Sequence, residues 1–202
     1  MDKYIYTNNS LNKELCQDII NLYEDNSNKY DGVTQGGLNK QIKNTLDLEI
    51  NNDDIRWKPI IEILEAELDK NVKEYIMNIE TPINETQESN DTKDIKYQTL
   101  GKNFLIRHTF LMQKYKKGEG KYIYHHDFCC NWKEYRYRVI TFLWYLNSIE
   151  NGGETEIWNS YLVKPESGKL LLFPSCWTFP HRGKMPLSDD KYIITGWLYI
   201  QD

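Results

Sequence analysis

The chain has 202 residues, of which 40% are apolar, and it carries a net charge of −5 at pH 7. This length suits a single domain, and the apolar content is enough for a core, which excludes a chain disordered throughout. Lysine and arginine are scattered among acidic residues, so the charge pattern of a nucleic-acid-binding protein is missing. Neither a membrane-length apolar run nor a signal peptide is recognisable. We therefore expect a cytoplasmic protein that binds neither nucleic acid nor membrane, and the oligomeric state stays open.

Two features of the composition bear on redox state and source. The four cysteines, Cys16, Cys129, Cys130 and Cys176, include no CxxC pair, so reduced thiols are expected rather than a disulfide framework or a zinc site. A single alanine against nineteen asparagines is explained more readily by an AT-rich genome, such as that of a virus, than by folding.

The N-terminal part of the chain predicts two helices. Apolar residues recur at helical spacing from Leu11 to about Tyr23, and Ser10 is the predicted N-cap. Residues 26–52 are rich in Asn, Asp and Gly and predict loops with at most one short strand. From Pro59 to Ile79 apolar residues follow one face at a 3.6-residue period, which predicts the second helix. Residues 80–94 are polar and predict a mobile surface loop.

The C-terminal part predicts strands. Short β-branched or aromatic runs between turn residues occupy residues 105–115, 138–147, 154–158, 169–173 and 191–200. Helices followed by at least five strands favour a helical layer on a β-sandwich or small barrel, an α+β and mainly β fold, over alternating βαβ units. We expect one domain over residues 1–202, with a helical part and variable loop at 1–98 and a catalytic β-core at 99–202.

A metal site is indicated by the few histidines. His125 and Asp127 lie two residues apart on a predicted strand, so both can face one ion while His126 points the other way. His181 is the obvious remaining imidazole for a third ligand, and a structural role is expected for His108. An HxD pair alone is more often an ordinary surface pair. Two histidines and one carboxylate nevertheless suit non-haem Fe(II), which must also bind a bidentate acid and O2.

A lysine further along the sequence is a candidate partner for an acidic co-substrate. Lys191 lies ten residues after His181, at the head of a predicted strand. An inward-facing lysine there needs an anionic partner, because an unpaired buried ammonium is costly. A dicarboxylic co-substrate would supply that partner.

Further motifs occur in a fixed order with these residues, over about residues 104–200. They are Tyr115-x-x-Gly118, Tyr122-x-x-His125-x-Asp127, Phe142-Leu143-Trp144-Tyr145-Leu146-Asn147, Gly152-Gly153-Glu154-Thr155, the run from Gly168 to Ser175, His181-Arg182-Gly183 and Lys191. This conjunction resembles the prolyl 4-hydroxylase-like family of Fe(II)- and 2-oxoglutarate-dependent dioxygenases. The resemblance implies a double-stranded β-helix, a jelly-roll or cupin-like fold, with the N-terminal helices packed on one sheet.

The resemblance also implies roles for individual residues. Iron would be held by His125, Asp127 and His181, and 2-oxoglutarate by Lys191, Tyr115, Tyr145 and Thr195. The substrate would be contacted by Arg138, Trp197 and Tyr122. Because Arg138 has the opposite strand parity to Tyr145, we expect it at a strand start or a bulge.

The activity that the resemblance implies is hydroxylation of a prolyl residue in a protein or peptide. Fe(II), 2-oxoglutarate and O2 would be required, succinate and CO2 would form, and ascorbate is a further cofactor to test. Another amino-acid side chain or a free amino acid is the alternative substrate. Asp127 argues against a halogenating relative, in which that ligand is replaced. The complete set of candidate ligands argues against a catalytically silent binding module.

Overall fold

The structure, a computed structural model, describes residues 2–51, 53–79, 106–107, 109–131 and 136–201. The predicted loop at 80–94 and His108 lie outside the described residues. A 3-10 turn at Asp2–Tyr4 precedes the helices α1 (Lys13–Glu24) and α2 (Lys58–Ile79). The strands are β1 (Tyr6–Asn9), β2 (Tyr30–Asp31), β3 (Lys43–Asn44), β4 (Leu46–Ile50), β5 (Ile106–Arg107), β6 (Phe110–Tyr115), β7 (Lys121–His125), β8 (Cys130–Asn131), β9 (Arg136–Tyr145), β10 (Thr155–Ile157), β11 (Tyr161–Val163), β12 (Lys169–Pro174), β13 (His181–Gly183) and β14 (Lys191–Gln201).

Helix α1 begins two residues later than a Ser10 cap would place it. Asn12 is the N-cap, and its side chain accepts a hydrogen bond from the backbone N–H of Leu15 at 2.8 Å. The backbone N–H of Ser10 instead donates to the Gly168 carbonyl, and the Ser10 hydroxyl accepts from the indole of Trp144. The predicted cap was therefore wrong, because tertiary contacts occupy both groups of Ser10.

Helix α2 confirms the predicted second helix. It begins at Lys58, with Pro59 in the first turn, where a missing backbone N–H costs no hydrogen bond. Its apolar face, which includes Leu64, Leu68 and Val72, is buried. Within the described residues, neither helix has the length and apolar character required to cross a lipid bilayer.

The strands form two antiparallel sheets. In the described part of the chain, the larger sheet has the order β1-β12-β9-β14-β6-β4-β2, with β5 added to β14 and β8 to β9. The smaller sheet has the order β11-β10-β13-β7-β3. All five predicted strand regions contain strands, but the expectation for residues 26–52 was wrong. That segment contains β2, β3 and β4, and β4 pairs with β6 over five residues, because partner strands satisfy its backbone despite the polar sequence around it.

Two apolar cores flank the larger sheet. Phe142 and Trp144 of β9 point toward α1 and α2 and are fully buried among the residues of both helices. Leu143 and Tyr145, one residue out of phase, point the other way, into the core between the two sheets. The helices therefore cover one face of the larger sheet, as expected, and the smaller sheet covers part of the other face.

Candidate active site

A cavity of about 520 Å³ lies between the two sheets. Nine of the ten predicted site residues line it, namely Tyr115, Tyr122, His125, Asp127, Arg138, His181, Lys191, Thr195 and Trp197. The exception is Tyr145. Residues far apart in the chain meet here because β7 and β13 of the smaller sheet face β6, β9 and β14 of the larger one.

Three side chains at the cavity form a compact group of metal-ligand atoms. One ligand atom from each of His125, Asp127 and His181 lies within 4.8 Å of the others. His125 ends β7 and is the direct cross-strand partner of His181 at the start of β13. Asp127 follows two residues beyond the end of β7, and its two oxygens lie 3.6 Å from His125 Nε2 and 3.4 Å from His181 Nε2. Two imidazoles and a carboxylate on one side are the donor set expected for non-haem Fe(II).

The other ring nitrogen of each histidine is tied to the backbone. His125 Nδ1 lies 2.8 Å from the carbonyl oxygen of Ile123, and His181 Nδ1 lies 3.1 Å from that of Phe179. A carbonyl can only accept, so Nδ1 carries the proton and Nε2 keeps its lone pair toward Asp127. Burial and, to a lesser extent, the neighbouring His181 together lower the pKa of His125 to about 4, so His125 is neutral and available as a ligand at pH 7.

Asp127 is buried and oriented by a hydroxyl pair. Its Oδ2 accepts a hydrogen bond from Thr141 Oγ1 at 2.8 Å, and Thr141 Oγ1 lies 2.9 Å from Ser175 Oγ. Burial by itself would raise the pKa of Asp127, but the two histidines and the Thr141 hydrogen bond together hold it below the usual range. Asp127 is therefore ionised, as a metal ligand must be.

Lys191 lies at the cavity wall at the head of β14 and is almost completely buried. Its Nζ donates to the carbonyl of Gly153 at 2.9 Å and lies 4.0 Å from the centroid of the Tyr115 ring. No carboxylate oxygen of the described residues lies within 4.0 Å of it. Burial lowers the pKa of Lys191 to about 7, and Glu154 opposes this shift only in part. An anionic ligand would therefore be strongly attracted to this ammonium.

Three hydroxyl side chains were expected around Lys191, and two of them, Thr195 and Tyr115, line the cavity, whereas Tyr145 does not. Thr195 lines the cavity and donates to the Phe142 carbonyl. Tyr115 approaches β13 closely because Gly183 has no side chain, and a Cβ at that glycine would lie 3.0 Å from the Tyr115 ring. Tyr145 donates to Thr155 Oγ1 at 2.7 Å, and Thr155, which we did not predict, lines the cavity in its place.

The three predicted substrate residues line the same cavity as the metal-ligand group. The guanidinium carbon of Arg138 lies 3.5 Å from the Trp197 ring centroid. The Tyr122 ring stacks on His125 at 3.5 Å with an interplanar angle of 16°. Arg138 reaches the cavity at the position where β9 and β14 change register, between Leu198 and Tyr199. Of the two expectations, a strand start or a bulge, the bulge is the one observed, and it is needed because strand parity alone points Arg138 away from the cavity.

Several cavity residues were not predicted. Lys43 and Asp47 form a buried ion pair with a nitrogen–oxygen distance of 2.6 Å, and Gln113 donates to the same carboxylate at 3.1 Å. Lys43 and Asp47 belong to residues 26–52, for which the sequence predicts mainly loops. Their spacing of four residues, which places both on one face of an extended segment, is the signal that could have identified them. His126 was expected to face away; it is exposed but borders the cavity, outside the metal-ligand group. Cys129 borders it too and accepts from Gln35 Nε2 at 2.8 Å.

Comparisons with known proteins agree with this geometry. Residues 110–199 match the family model described as the 2OG-Fe(II) oxygenase superfamily. No curated protein sequence matches the chain. Among solved structures, a viral collagen prolyl hydroxylase from Paramecium bursaria Chlorella virus-1 has a TM-score of 0.64 at 18% identity, covering 98% of this chain and 96% of its own.

Two further solved structures are similar. A prolyl hydroxylase from Trichoplax adhaerens, in complex with a hypoxia-inducible factor peptide fragment, has a TM-score of 0.69 at 22% identity, covering 98% of this chain and 84% of its own. A prolyl-4-hydroxylase from Pseudomonas putida has a TM-score of 0.63 at 16% identity, covering 96% and 92%. These likenesses confirm the expected double-stranded β-helix.

Proposed function

We propose that this chain, whose residues 110–199 match the model of the 2OG-Fe(II) oxygenase superfamily, is an oxygenase of that superfamily and hydroxylates a prolyl residue in a protein or peptide. The reaction consumes 2-oxoglutarate and O2 and produces succinate and CO2. The observation that carries this proposal is that a group of metal-ligand atoms and a buried lysine line the same cavity. The grouped ligand atoms of His125, Asp127 and His181 share it with Lys191, a buried ammonium with no carboxylate within 4.0 Å among the described residues.

The metal would be Fe(II), held by His125, Asp127 and His181. When bound with 2-oxoglutarate and O2, Fe(II) supplies the oxidant that inserts one oxygen atom into a substrate C–H bond. The protein keeps the three ligands in place through the backbone carbonyls at both imidazoles and through Thr141 at Asp127. Outer contacts of this kind orient ligands and keep each in its metal-binding protonation state.

Lys191 is the proposed anchor for the far carboxylate of 2-oxoglutarate, and Tyr115 and Thr195 are the proposed hydrogen-bond partners beside it. All three line the cavity. Tyr145 acts through Thr155, because its hydroxyl donates to Thr155 Oγ1 and thereby orients the hydroxyl that reaches the cavity. Ascorbate is proposed only as a reductant that keeps the iron active.

A prolyl substrate is supported by the shape and chemistry near the metal ligands. A proline ring is apolar, and the faces of Trp197 and Tyr122 offer it an aromatic wall. The peptide carbonyls beside it need a donor, and the Arg138 guanidinium, stacked on Trp197, carries several. The names of the similar structures, all prolyl hydroxylases and one in complex with a peptide, support the same substrate class.

We also propose that the whole chain acts as one domain, with residues 1–98 completing the β-core at 99–202. Strand β1 pairs with β12, and β4 pairs with β6, so N-terminal residues extend the larger sheet at both edges. The Lys43–Asp47 ion pair, together with Tyr30 and Val33, brings N-terminal side chains to the cavity wall.

The test is turnover of 2-oxoglutarate with purified protein, Fe(II), ascorbate and proline-containing peptides. We expect succinate only when iron is added, and a peptide product heavier by one oxygen atom on proline. Absence of iron-dependent succinate would contradict the enzyme assignment and leave a binding module. Oxygen found only on other residues or on a free amino acid would leave the oxygenase class and remove the prolyl substrate.

A further inference from the structure

The cavity contains a second buried lysine that the proposed function does not use. Lys43 and Lys191 are both buried and both line the cavity. Their partners differ. Lys43 Nζ lies 2.6 Å from Asp47 Oδ2, and these two side chains are only 5% and 2% exposed. Lys191 has the backbone carbonyl of Gly153 as its hydrogen-bond partner.

Lys43 lies close to the metal-ligand group. Its Nζ is 5.6 Å from the Tyr122 ring centroid, and that ring stacks on His125 at 3.5 Å. The charge of Lys43 is among the influences that lower the pKa of His125. An unpaired ammonium at this position would attract any carboxylate that enters the cavity.

Asp47 is also connected to the surroundings of Lys191 by a series of side-chain contacts. Its Oδ2 accepts from Gln113 Nε2 at 3.1 Å, and Gln113 Oε1 accepts from the Tyr115 hydroxyl at 3.4 Å. The Tyr115 ring in turn lies under the ammonium of Lys191. One series of contacts therefore joins Lys43, which is paired with Asp47, to Lys191, which has no carboxylate oxygen of the described residues within 4.0 Å.

Two unpaired ammonium groups buried in one cavity would offer a dicarboxylate two alternative anchors, because attraction between opposite charges is stronger at buried sites than in bulk water. We propose that Asp47 is a specificity-determining residue. By pairing with Lys43 it prevents this lysine from acting as a second carboxylate anchor, so that the co-substrate is held at Lys191. This inference rests on the proposed function, since it presupposes a dicarboxylate at Lys191.

Calorimetric titration without oxygen, on the Fe(II)-loaded protein at about pH 6, tests the inference. The probes are 2-oxoglutarate and glutarate, a dicarboxylate that lacks the keto group. The Asp47→Asn variant keeps the side-chain shape and removes the negative charge that pairs with Lys43. We expect its affinity for glutarate to increase by about tenfold or more over the parent protein. Glutarate binding should persist in the Lys191→Met/Asp47→Asn double variant.

The matched control is the Lys43→Met/Asp47→Asn variant, in which both charges of the pair are removed. We expect its glutarate affinity to return to the parent value. A tenfold loss of 2-oxoglutarate affinity in this control would instead make Lys43 part of the anchor and overturn the proposal. Unchanged glutarate binding in Asp47→Asn would overturn it as well.

Folding of Asp47→Asn is followed by thermal unfolding with and without glutarate. A variant that stays unfolded with glutarate, while the control folds, would show that the freed charge cannot serve as an anion site, and would overturn the inference. The proposed function fails separately, if the parent protein binds no 2-oxoglutarate or if Lys191→Met binds it as tightly as the parent.

Discussion

Arg138 stacks on Trp197, with 3.5 Å between the guanidinium carbon and the ring centroid. A planar cation at this distance over an indole face is stabilised by the ring quadrupole. Arg138 Nε also donates to the Tyr199 hydroxyl at 3.2 Å. The stack exists because the register change between Leu198 and Tyr199 brings Arg138 to the cavity side of the larger sheet. Arg138 is thus held in position before any substrate arrives.

We expect Arg138→Ala to lower kcat/KM for a proline-containing peptide by roughly 10- to 100-fold, the effect of losing one hydrogen bond to a charged donor. Iron binding and peptide-independent decarboxylation of 2-oxoglutarate should be retained, because the residues that hold them are untouched. Arg56→Ala is the control, since Arg56 pairs with Asp54 at the surface. Equal loss in both variants would contradict a substrate role for Arg138.

Removing any of the three proposed metal ligands should abolish iron-dependent succinate formation. We expect His125→Ala, Asp127→Ala and His181→Ala to lose the rise in unfolding temperature that added Fe(II) gives the parent protein, because ligand binding to the folded state stabilises it. His126→Ala, a neighbour outside the ligand group, should keep that rise. The opposite result for His125 and His126 would show that the strand register at β7 is different.

The Thr141 hydroxyl should matter for metal affinity although it does not touch the metal. Thr141→Val has nearly the same shape but cannot donate to Asp127 Oδ2. We expect the affinity for Fe(II) to fall by about 10- to 100-fold, which is typical of losing an outer partner of a ligand. Ser175→Ala, one hydrogen bond further away, should have a smaller effect. Equal metal affinity in Thr141→Val and the parent would remove this positioning role.

Binding of 2-oxoglutarate should weaken as the pH rises above 7. Burial lowers the pKa of Lys191 to about 7, so in the free protein its ammonium is present below that pH and lost above it. The bound carboxylate favours the charged form, so binding takes up a proton, and the dissociation constant should increase by up to roughly tenfold per pH unit above pH 7. Titrations without oxygen from about pH 6 to 9 measure this.

Lys191→Arg is the control for that pH dependence. Arginine stays protonated throughout this range, so the dissociation constant of the variant should be flat with pH, whatever its absolute value. A slope that persists in Lys191→Arg would assign the titration to another group. A flat profile in the parent protein would mean that Lys191 remains charged above pH 7.

The amino-acid sequence by itself determined the elements and residue pairs that depend on local order. The apolar period of α2 and the position of Pro59 in its first turn follow from helix geometry, which neighbouring residues dictate. The approach of the His125 and Asp127 side chains to each other follows from their spacing of two residues, at the end of β7 and just beyond it. The alternation of Leu143 and Tyr145 with Phe142 and Trp144 likewise assigns the two faces of β9.

Only the tertiary structure decided the features that depend on partners distant in the chain. Strand β4 forms in a polar segment because β6 supplies its hydrogen bonds. The bulge that turns Arg138 toward Trp197 depends on the register of β14, and the Lys43–Asp47 pair is buried only because the sheets enclose it. The Tyr145 hydroxyl donates to Thr155 and does not line the cavity. Strand parity predicts which face of the sheet a side chain occupies, but not whether its hydroxyl reaches the cavity.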